Sequence, residues 1–176
     1  MKANKAYKYR IYPSALQEEI LAKTFGCVRF IYNRMLSDKI EYYNETGKML
    51  SNTPAQYKGQ FDFLKEVDSL ALSNAQLQLQ TAYRNFFRDK SIGFPKFKSK
   101  KYSRQSYTTN LVNGNIRIAA GKIRLPKIGE IRIKLHREIP ENYKIKSITV
   151  SGILKISILI NTLTIVNAAF IICGMD

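Results

Sequence analysis

The chain has few of the residues on which metal sites and covalent frameworks depend. It contains two cysteines, one histidine and no tryptophan in 176 residues. Because Cys27 and Cys173 are far apart and form no Cys-x-x-Cys pair, the sequence encodes neither a zinc ribbon nor a disulfide framework. The basic N-terminus lacks the apolar segment of a signal peptide, so we expect a reducing, cytoplasmic location.

Catalytic constellations are also missing from the sequence. His136 has no second histidine and no carboxylate cluster near it in sequence, and we interpret it as a surface or phosphate-facing residue. The acids Asp62, Glu66 and Asp68 fall on a predicted helix and its exit, where they are typical of a solvated face. The chain has no glycine-rich phosphate loop and no His-Glu-x-x-His motif. We therefore expect that this chain alone is not an enzyme and holds no cofactor or metal.

Positive charge is abundant and unevenly distributed. The net charge is +16, and residues 88–146 hold 16 of the 29 Lys and Arg residues but only four of the 13 acids. Such a concentration predicts a polyanionic partner. A helix on a membrane surface would place its basic residues along one face, whereas these fall among Gly, Pro and strand-like runs. We therefore expect nucleic acid rather than membrane.

Residues 93–107 read GFPKFKSKKYSRQSY and combine basic and aromatic side chains. Gly93 and Pro95 disfavour a helix, so the segment is predicted to be a loop or an extended stretch. Basic groups neutralise phosphates, and aromatic rings stack on unpaired bases. The pattern favours a nucleic-acid-binding loop, and the alternative is a basic linker whose rings pack on a nearby helix. The candidate binding residues in this segment are Phe94, Lys96, Phe97, Lys98, Lys100, Lys101 and Arg104.

The first half of the chain has mainly helical periodicity. Alternation over residues 6–12 predicts a strand, and apolar residues at spacings of three and four predict a helix over 15–46. Ser14 and Gln17 form a predicted capping box, and Gly26 is expected to mark a bend or a close helix contact. Arg29 and Asn33 share a face of this helix, where they either read a base or phosphate or brace the helices from inside.

Two further helices are predicted before the basic loop. One begins at Thr53-Pro54 and runs to about Val67. The other carries an apolar stripe from Leu72 to Phe86, and Ser69 or Ser73 is its expected cap. Together, the helices are predicted to form a small antiparallel bundle.

After the basic loop, the hydrophobic period becomes two. Turn-forming pairs such as Asn113-Gly114 and Ala120-Gly121 separate short runs of strand-like residues. A strand before the helices and several after them predict an α+β fold, a small β-barrel with an inserted helical bundle. The predicted strands are residues 115–118, 122–125, 130–135, 144–150 and 155–160.

The segment from residue 153 to 173 is unusually apolar. Its length would permit a membrane span, which would make the chain a membrane-tethered basic adaptor. Lys155, Asn161 and Asn167 interrupt the segment and argue against a span. We therefore predict one strand followed by a tail.

Five ordered motifs resemble one protein family. They are YKYRIYPSALQEEIL, GCVRFIYNRML, LSNAQLQLQTAYRNFFR, GFPKFKSKK followed by SYTT, and IRLPKIGEIRIKLHREIP. In this order, they are similar to TnpB, the OrfB protein of bacterial and archaeal insertion sequences. The resemblance extends from Lys5 to about Ile160, and the order of five motifs is more specific than any one of them.

The resemblance implies a domain organisation. TnpB proteins are RNA-guided DNA endonucleases whose N-terminal half is a wedge domain, a small barrel, interrupted by a helical recognition domain. By this resemblance, residues 1–13 and 106–160 would form the wedge-like barrel, and residues 14–105 the recognition domain, leaving 161–176 as a tail. The C-terminal half of the family is a RuvC-like nuclease with three metal-binding carboxylates and a zinc ribbon.

The resemblance also implies partners. Guide RNA and target DNA would be held through backbone and shape, which suits a basic surface without catalytic groups. Tyr9, Arg10 and the 93–107 loop would contact guide RNA or the heteroduplex. The candidate binding residues outside the loop are Tyr9, Arg10, Arg29, Asn33, Arg124, Lys127 and Arg137.

Full-length relatives continue well past residue 176. The final Gly-x-Asp resembles the start of the first nuclease motif, so Asp176 would correspond to the first catalytic carboxylate. The other two carboxylates and the zinc cysteines are absent, so divalent metal and zinc are expected only in full-length relatives. We expect a truncated TnpB-like protein that binds nucleic acid without cutting it, with the missing nuclease half as a possible partner. The alternatives are a non-functional pseudogene fragment and a helix-turn-helix DNA-binding domain of a transposase.

Overall fold

The computed structural model describes residues 4–139, 143–152 and 155–162, which form an α+β fold. The predicted tail after residue 162, including Asp176, lies outside these residues. The helices are α1 (Ala15–Thr46), α2 (Pro54–Tyr57) and α3 (Ser69–Arg88), with 3-10 turns at Asp62–Lys65 and Lys90–Ile92. The strands are β1 (Asn4–Tyr12), β2 (Ser106–Asn110), β3 (Arg117–Ala119), β4 (Lys122–Leu125), β5 (Gly129–Lys134), β6 (Tyr143–Ser151) and β7 (Lys155–Thr162).

Helix α1 has the bounds and the cap that the sequence predicts. The Ser14 backbone N–H donates to Gln17 Oε1 at 3.0 Å, and the Gln17 N–H donates to Ser14 Oγ at 3.4 Å. Gly47 ends the helix with φ of 68° and donates its N–H to the Tyr43 carbonyl at 2.8 Å. The helix continues through Gly26, and no atom lies within 4 Å of the position that a Cβ would occupy there. The close contact expected at this glycine was therefore wrong.

The predicted helix over residues 53–67 is divided into two short pieces. Helix α2 ends at Tyr57, and a 3-10 turn begins at Asp62 after a segment that contains Gly59. Glycine disfavours helix, and packing of the following aromatic residues takes the chain away from the α2 axis. The Phe61 and Phe63 rings lie edge-on to Phe30 of α1, with centroids 4.9 and 5.1 Å away. The prediction of one long helix was wrong because it ignored this aromatic cluster.

Helix α3 begins with a buried carboxylate. Asp68 is the cap, in place of the predicted Ser69 or Ser73, and accepts a hydrogen bond from the Leu70 N–H at 3.0 Å. Its other oxygen accepts from Thr109 Oγ1 of β2 at 2.5 Å. Asp68 is only 9% exposed, so placing it on a solvated face was wrong. This carboxylate joins the start of α3 to the sheet.

The seven strands form one antiparallel sheet in the order β2-β6-β7-β1-β5-β4-β3. The first strand of the chain therefore lies at the centre, and the sequence between β1 and β2 supplies all three α-helices. The sheet curls into a half-barrel whose outer strands are β2 and β3, whereas the sequence predicted a small barrel. Strand β2 was not predicted, because its uncharged sequence SYTTN follows the basic loop without a turn signal.

The core lies between the inner face of the sheet and the helices. Alternate residues of the strands point inward, as Ile11, Ile123 and Ile131 show by their complete burial. Helices α1 and α3 pack together and against β2, where the Phe25 and Tyr107 rings lie 5.8 Å apart. The opposite face of the sheet carries exposed side chains on strands β1, β3, β4, β5 and β7.

Candidate nucleic-acid interface

The basic loop is fixed to α1 by one asparagine. The Asn33 Nδ2 group donates to the Lys98 carbonyl at 2.8 Å, and the Lys98 N–H donates to Asn33 Oδ1, also at 2.8 Å. This pair of hydrogen bonds satisfies both backbone groups of Lys98 in the way that a neighbouring strand would. Of the two interpretations left open for Asn33, the geometry favours the brace.

Two of the predicted binding residues also anchor the loop. The Lys98 Nζ atom lies 4.1 Å from the Tyr32 ring centroid and donates to Gln78 Oε1 at 2.8 Å. Burial lowers the pKa of the Lys98 amine. The Phe94 ring packs edge-on against Tyr83 and Phe86 of α3, with centroids 5.5 and 5.4 Å away. These side chains hold the loop in place on the helices.

A serine-capped turn presents the middle of the loop to solvent. The Ser103 N–H donates to the Ser99 carbonyl, and the Tyr102 N–H donates to Ser99 Oγ at 2.9 Å. The Tyr102 side chain, which this turn carries, is 83% exposed, with the Lys101 amine 5.2 Å from its ring centroid. An exposed ring beside a cation has the chemistry of a base-stacking platform.

We call the exposed side chains of this segment the loop surface. Four cations and two rings point to solvent, and residues 93–105 contain no carboxylate. Arg29 of α1 lies beside them and lines a small depression with Lys98 and Arg104. The loop surface consists of Lys96, Phe97, Lys100, Lys101, Tyr102 and Arg104.

The outer side of the sheet is a second basic surface, which we call the sheet face. Antiparallel pairing places Arg10 of β1 between Lys134 of β5 and Lys155 of β7. One row further, Tyr12 and Lys122 are the partners of Arg132 on its two sides. The exposed side chains of the sheet face are Lys8, Arg10, Tyr12, Arg117, Lys122, Arg124, Glu130, Arg132, Lys134 and Lys155.

Like charges oppose one another repeatedly on the sheet face. Arg10 faces Lys134 and Lys155, and Lys122 faces Arg132. Directly opposed like charges destabilise a sheet by up to about 1 kcal/mol per pair. The one carboxylate of the face, Glu130, has its Oε2 only 3.4 Å from the Lys122 amine. Phosphates would relieve the remaining repulsion, so this arrangement suits a polyanion.

The sequence predicted some of the binding residues on the sheet face. Arg10 and Arg124 were candidates, and both are exposed on it, whereas Lys127 lies in the turn between β4 and β5 with φ of 65°. Lys122, Arg132 and Lys134 were missed. Their signal was present, since basic residues alternate with isoleucine in KIRL and EIRIK, but the strand pairing that gathers them was not evident.

Tyr9 and Arg137 meet beside the sheet face. The Tyr9 hydroxyl donates to the Arg137 carbonyl at 2.9 Å, and the Tyr9 ring lies 5.2 Å from the His136 ring. Tyr9 itself is only 2% exposed, and burial raises the pKa of its hydroxyl. It therefore positions residues 136 and 137, while those two side chains are exposed to solvent.

Across residues 4–139, 143–152 and 155–162, no three His, Cys, Asp or Glu side chains lie together as ligands. In the same part of the chain, no helix is apolar and long enough to span a membrane. The chemistry available on these surfaces is charge neutralisation, hydrogen bonding and ring stacking.

Residues 1–48 match a family model for the helix-turn-helix domain of OrfB proteins. In the structure, the described part of this range is strand β1 followed by the uninterrupted helix α1. The matched residues supply Arg10 of the sheet face and Asn33, which braces the loop surface.

Curated relatives match over a longer range. The chain is 34% identical over 160 residues to a candidate RNA-guided DNA endonuclease of Streptomyces pristinaespiralis, which covers 85% of this chain and 39% of that protein. It is 32% identical over 162 residues to a similarly named protein, InsQ, of Escherichia coli K12, with coverages of 86% and 38%. It is also 34% identical over 113 residues to the virulence protein VsdF of Salmonella dublin, with coverages of 54% and 93%.

These matches place the chain in a family in which two curated relatives are named as RNA-guided DNA endonucleases. The chain belongs to the TnpB/OrfB family and corresponds to its N-terminal portion. It spans about two fifths of the length of the two endonuclease-named relatives.

Proposed function

We propose that this chain is the nucleic-acid-binding portion of a TnpB-family protein and that it holds guide RNA and target DNA. The names of two relatives, which describe RNA-guided DNA endonucleases, support this proposal. So does the charge of the chain, +16, which is gathered on the loop surface and the sheet face. Binding through backbone and shape needs such surfaces and needs no catalytic group.

The observation that carries the proposal is the way the loop surface is built. Asn33 and Lys98 fix the loop backbone to α1, and Phe94 packs on α3. Because these contacts hold the base of the loop, its outer cations and rings lose little further entropy on binding. A basic linker without a ligand would not need Tyr102 at 83% exposure.

The proposal includes a division of labour along the chain. The sheet, with residues 1–13 and 106–160, acts as the wedge-like domain, and residues 14–105 act as the recognition domain inserted into it. Cleavage of DNA is assigned to other parts of a full-length family member. Metal-dependent cutting of DNA by this chain alone would contradict that division.

A second candidate function is recognition of duplex DNA by a helix-turn-helix domain. The description of the matching family model favours it. Such a domain reads the major groove with a separate recognition helix. Residues 15–46 form one unbroken helix, so this function would have to use another geometry.

The two functions are separated by a titration of the purified chain against three probes. These are a structured RNA, a duplex DNA and a single strand of matched length, each at low and at moderate salt. Tighter binding of the structured RNA, weakening steeply with salt, is the expected result. Preference for the duplex DNA would favour the helix-turn-helix function, and equal weak binding of all three would contradict specific recognition.

A further inference from the structure

A groove runs along β1, where the sheet is incomplete. Strand β1 pairs with β7 from Asn4 to Arg10, but with β5 only from Arg10 to Tyr12. Among the residues that the structure describes, no strand pairs with residues 5–9 on the β5 side. The segment 135–139 passes this free edge instead, and the Tyr9 hydroxyl holds it there through the Arg137 carbonyl.

Two adjoining depressions form this β1 groove. The first, of about 410 Å³, lies on the sheet face above Tyr9 and includes Lys8, Arg10, Tyr12, Lys134, His136 and Lys155. The second, of about 600 Å³, shares Lys8 and His136 with the first and adds Lys5, Tyr7 and Arg137. From Lys5 to Tyr12, the groove is about 23 Å long, at about 3.3 Å per strand residue.

Positive charge lines the β1 groove throughout. Six Lys or Arg side chains contribute to its two depressions, and no carboxylate among the described residues does. A free strand edge would also accept an extended polypeptide by backbone pairing. Six cations favour a chain of phosphates, which carries a negative charge on each nucleotide, over a polypeptide strand of mixed charge.

Exposed rings distinguish a single strand from a duplex. Tyr12 is 39% exposed, with the Arg10 and Arg132 guanidinium carbons 5.6 and 5.4 Å from its ring centroid. His136 is exposed at the other wall of the groove, 5.2 Å from the Tyr9 ring. Paired bases inside a duplex do not present their faces to such rings, whereas unpaired bases do.

We propose that the β1 groove binds an unpaired segment of nucleic acid, with its phosphates on Lys8, Arg10 and Lys155 and its bases stacked on Tyr12 and His136. This proposal rests on the proposed nucleic-acid-binding function and assigns one surface to one form of the ligand. The two guanidinium groups beside Tyr12 turn to phosphates while a base covers the ring. The loop surface remains free to hold another part of the ligand.

The test measures binding of fluorescein-labelled oligouridylate and oligothymidylate, each of about eight nucleotides, and of a hairpin duplex. The variants Tyr12→Ala and His136→Ala remove the rings, and Tyr12→Phe keeps one. Each alanine variant is expected to weaken single-strand binding about 5- to 100-fold, since stacking contributes about 1–3 kcal/mol per base. Duplex binding is expected to stay within about twofold, and Tyr12→Phe is expected to bind like the wild type. Tighter binding of one of the two single strands shows whether the groove prefers RNA or DNA.

The matched control is Tyr43→Ala, which removes an exposed ring near the end of α1, outside the loop surface and the sheet face. It is expected to leave the affinity for short single strands unchanged. Equal losses for single strand and duplex in Tyr12→Ala would overturn the β1 groove proposal while leaving the proposed function intact. So would unchanged single-strand binding in both alanine variants, which would leave the free edge to a polypeptide strand. Failure of the wild-type chain to bind any probe would overturn the proposed function itself.

Discussion

The contacts of single residues distinguish a flexible basic linker from a fixed binding surface. Asn33 was ambiguous in sequence, because an asparagine on a helix reads a base edge as readily as it braces a neighbouring segment. Its two 2.8 Å hydrogen bonds to the Lys98 backbone assign it to the loop brace. Lys98 and Phe94 belong to the same brace. Substituting either residue is therefore expected to weaken nucleic-acid binding by loosening the loop, not by removing a contact with the ligand.

Because Asn33 holds the loop by two hydrogen bonds, Asn33→Ala is expected to destabilise the protein. Removing both hydrogen bonds is expected to lower the free energy of unfolding by about 1–3 kcal/mol, because the backbone groups of Lys98 lose their partners. Urea unfolding measures this change, and faster proteolysis within residues 93–105 should accompany it. Asn44→Ala is the control, since Asn44 is exposed in the last turn of the same helix. Equal effects of the two substitutions would contradict the brace.

The buried Tyr107 hydroxyl makes the stability of the protein depend on pH in the alkaline range. Burial, and to a smaller extent the negative charge of Asp68, raises the pKa of its hydroxyl. The stabilising contribution is therefore complete below the unfolded pKa of about 10 and is lost as the pH rises from there towards the folded pKa. Tyr107→Phe keeps the ring and cannot ionise, so its unfolding free energy should fall less steeply between about pH 9 and 11.

Between Tyr107→Phe and the wild type, the slopes of the unfolding free energy against pH should differ by up to about 1 kcal/mol per pH unit. Urea unfolding at several pH values measures these slopes. Comparing the two proteins cancels the contributions of all other ionisable groups. Parallel stability curves would contradict the burial of an un-ionised Tyr107. Tyr102→Phe, which removes a hydroxyl from an exposed ring, is the control for the substitution itself.

The paired strands of the sheet face carry like charges that destabilise the folded protein. Lys134 faces Arg10 across β1 and β5. Lys134→Gln should raise the free energy of unfolding by a few tenths of a kcal/mol at low salt, and the gain should disappear near 1 M salt, where charges are screened within about 3 Å. Thermal or urea unfolding at both salt concentrations measures it.

The control for Lys134→Gln is Lys144→Gln on β6. Lys144 is exposed and is the cross-strand partner of Asn161, a neutral residue. The two substitutions share the same change in charge and in strand propensity. A gain of equal size in both would attribute the effect to net charge and contradict the local repulsion.

The sequence predicted most elements that have a strong period. Helix α1 was predicted with its bounds and its capping box, because a long apolar stripe and a Ser-x-x-Gln start agree with each other. Strands β1 and β4 were found by their alternation. Strand β2 was missed because polar SYTTN has a period only in burial, which depends on the helices that cover it.

The candidate site was only half evident from sequence for a related reason. The loop surface is contiguous in the chain, so its composition can be read directly. The sheet face brings together residues from five strands, and the pairing of β1 with both β5 and β7 is a long-range choice. Tyr9 shows the opposite error, since an aromatic between two basic residues resembles a stacking platform but is a buried anchor.

Across the whole molecule, the location of the positive charge is expected to matter more for binding than its total. The net charge of +16 would attract any polyanion, but only phosphates in contact with the protein release counterions. The loop surface and the sheet face hold most of the exposed cations between Arg88 and Lys146. Cations elsewhere, such as Lys23 and Lys65, already lie beside Glu66 and Asp62.

The role of the loop surface in nucleic-acid binding is tested most directly by the salt dependence of RNA binding in two triple variants with the same net charge. One replaces Lys96, Lys100 and Lys101 of the loop surface by Gln, and the other replaces Lys23, Lys48 and Lys65. The slope of log affinity against log salt should become shallower by about two to three for the loop variant. It should stay close to the wild-type value for the second variant. Equal changes in the two, or no change in the loop variant, would contradict the assignment of the loop surface to nucleic acid.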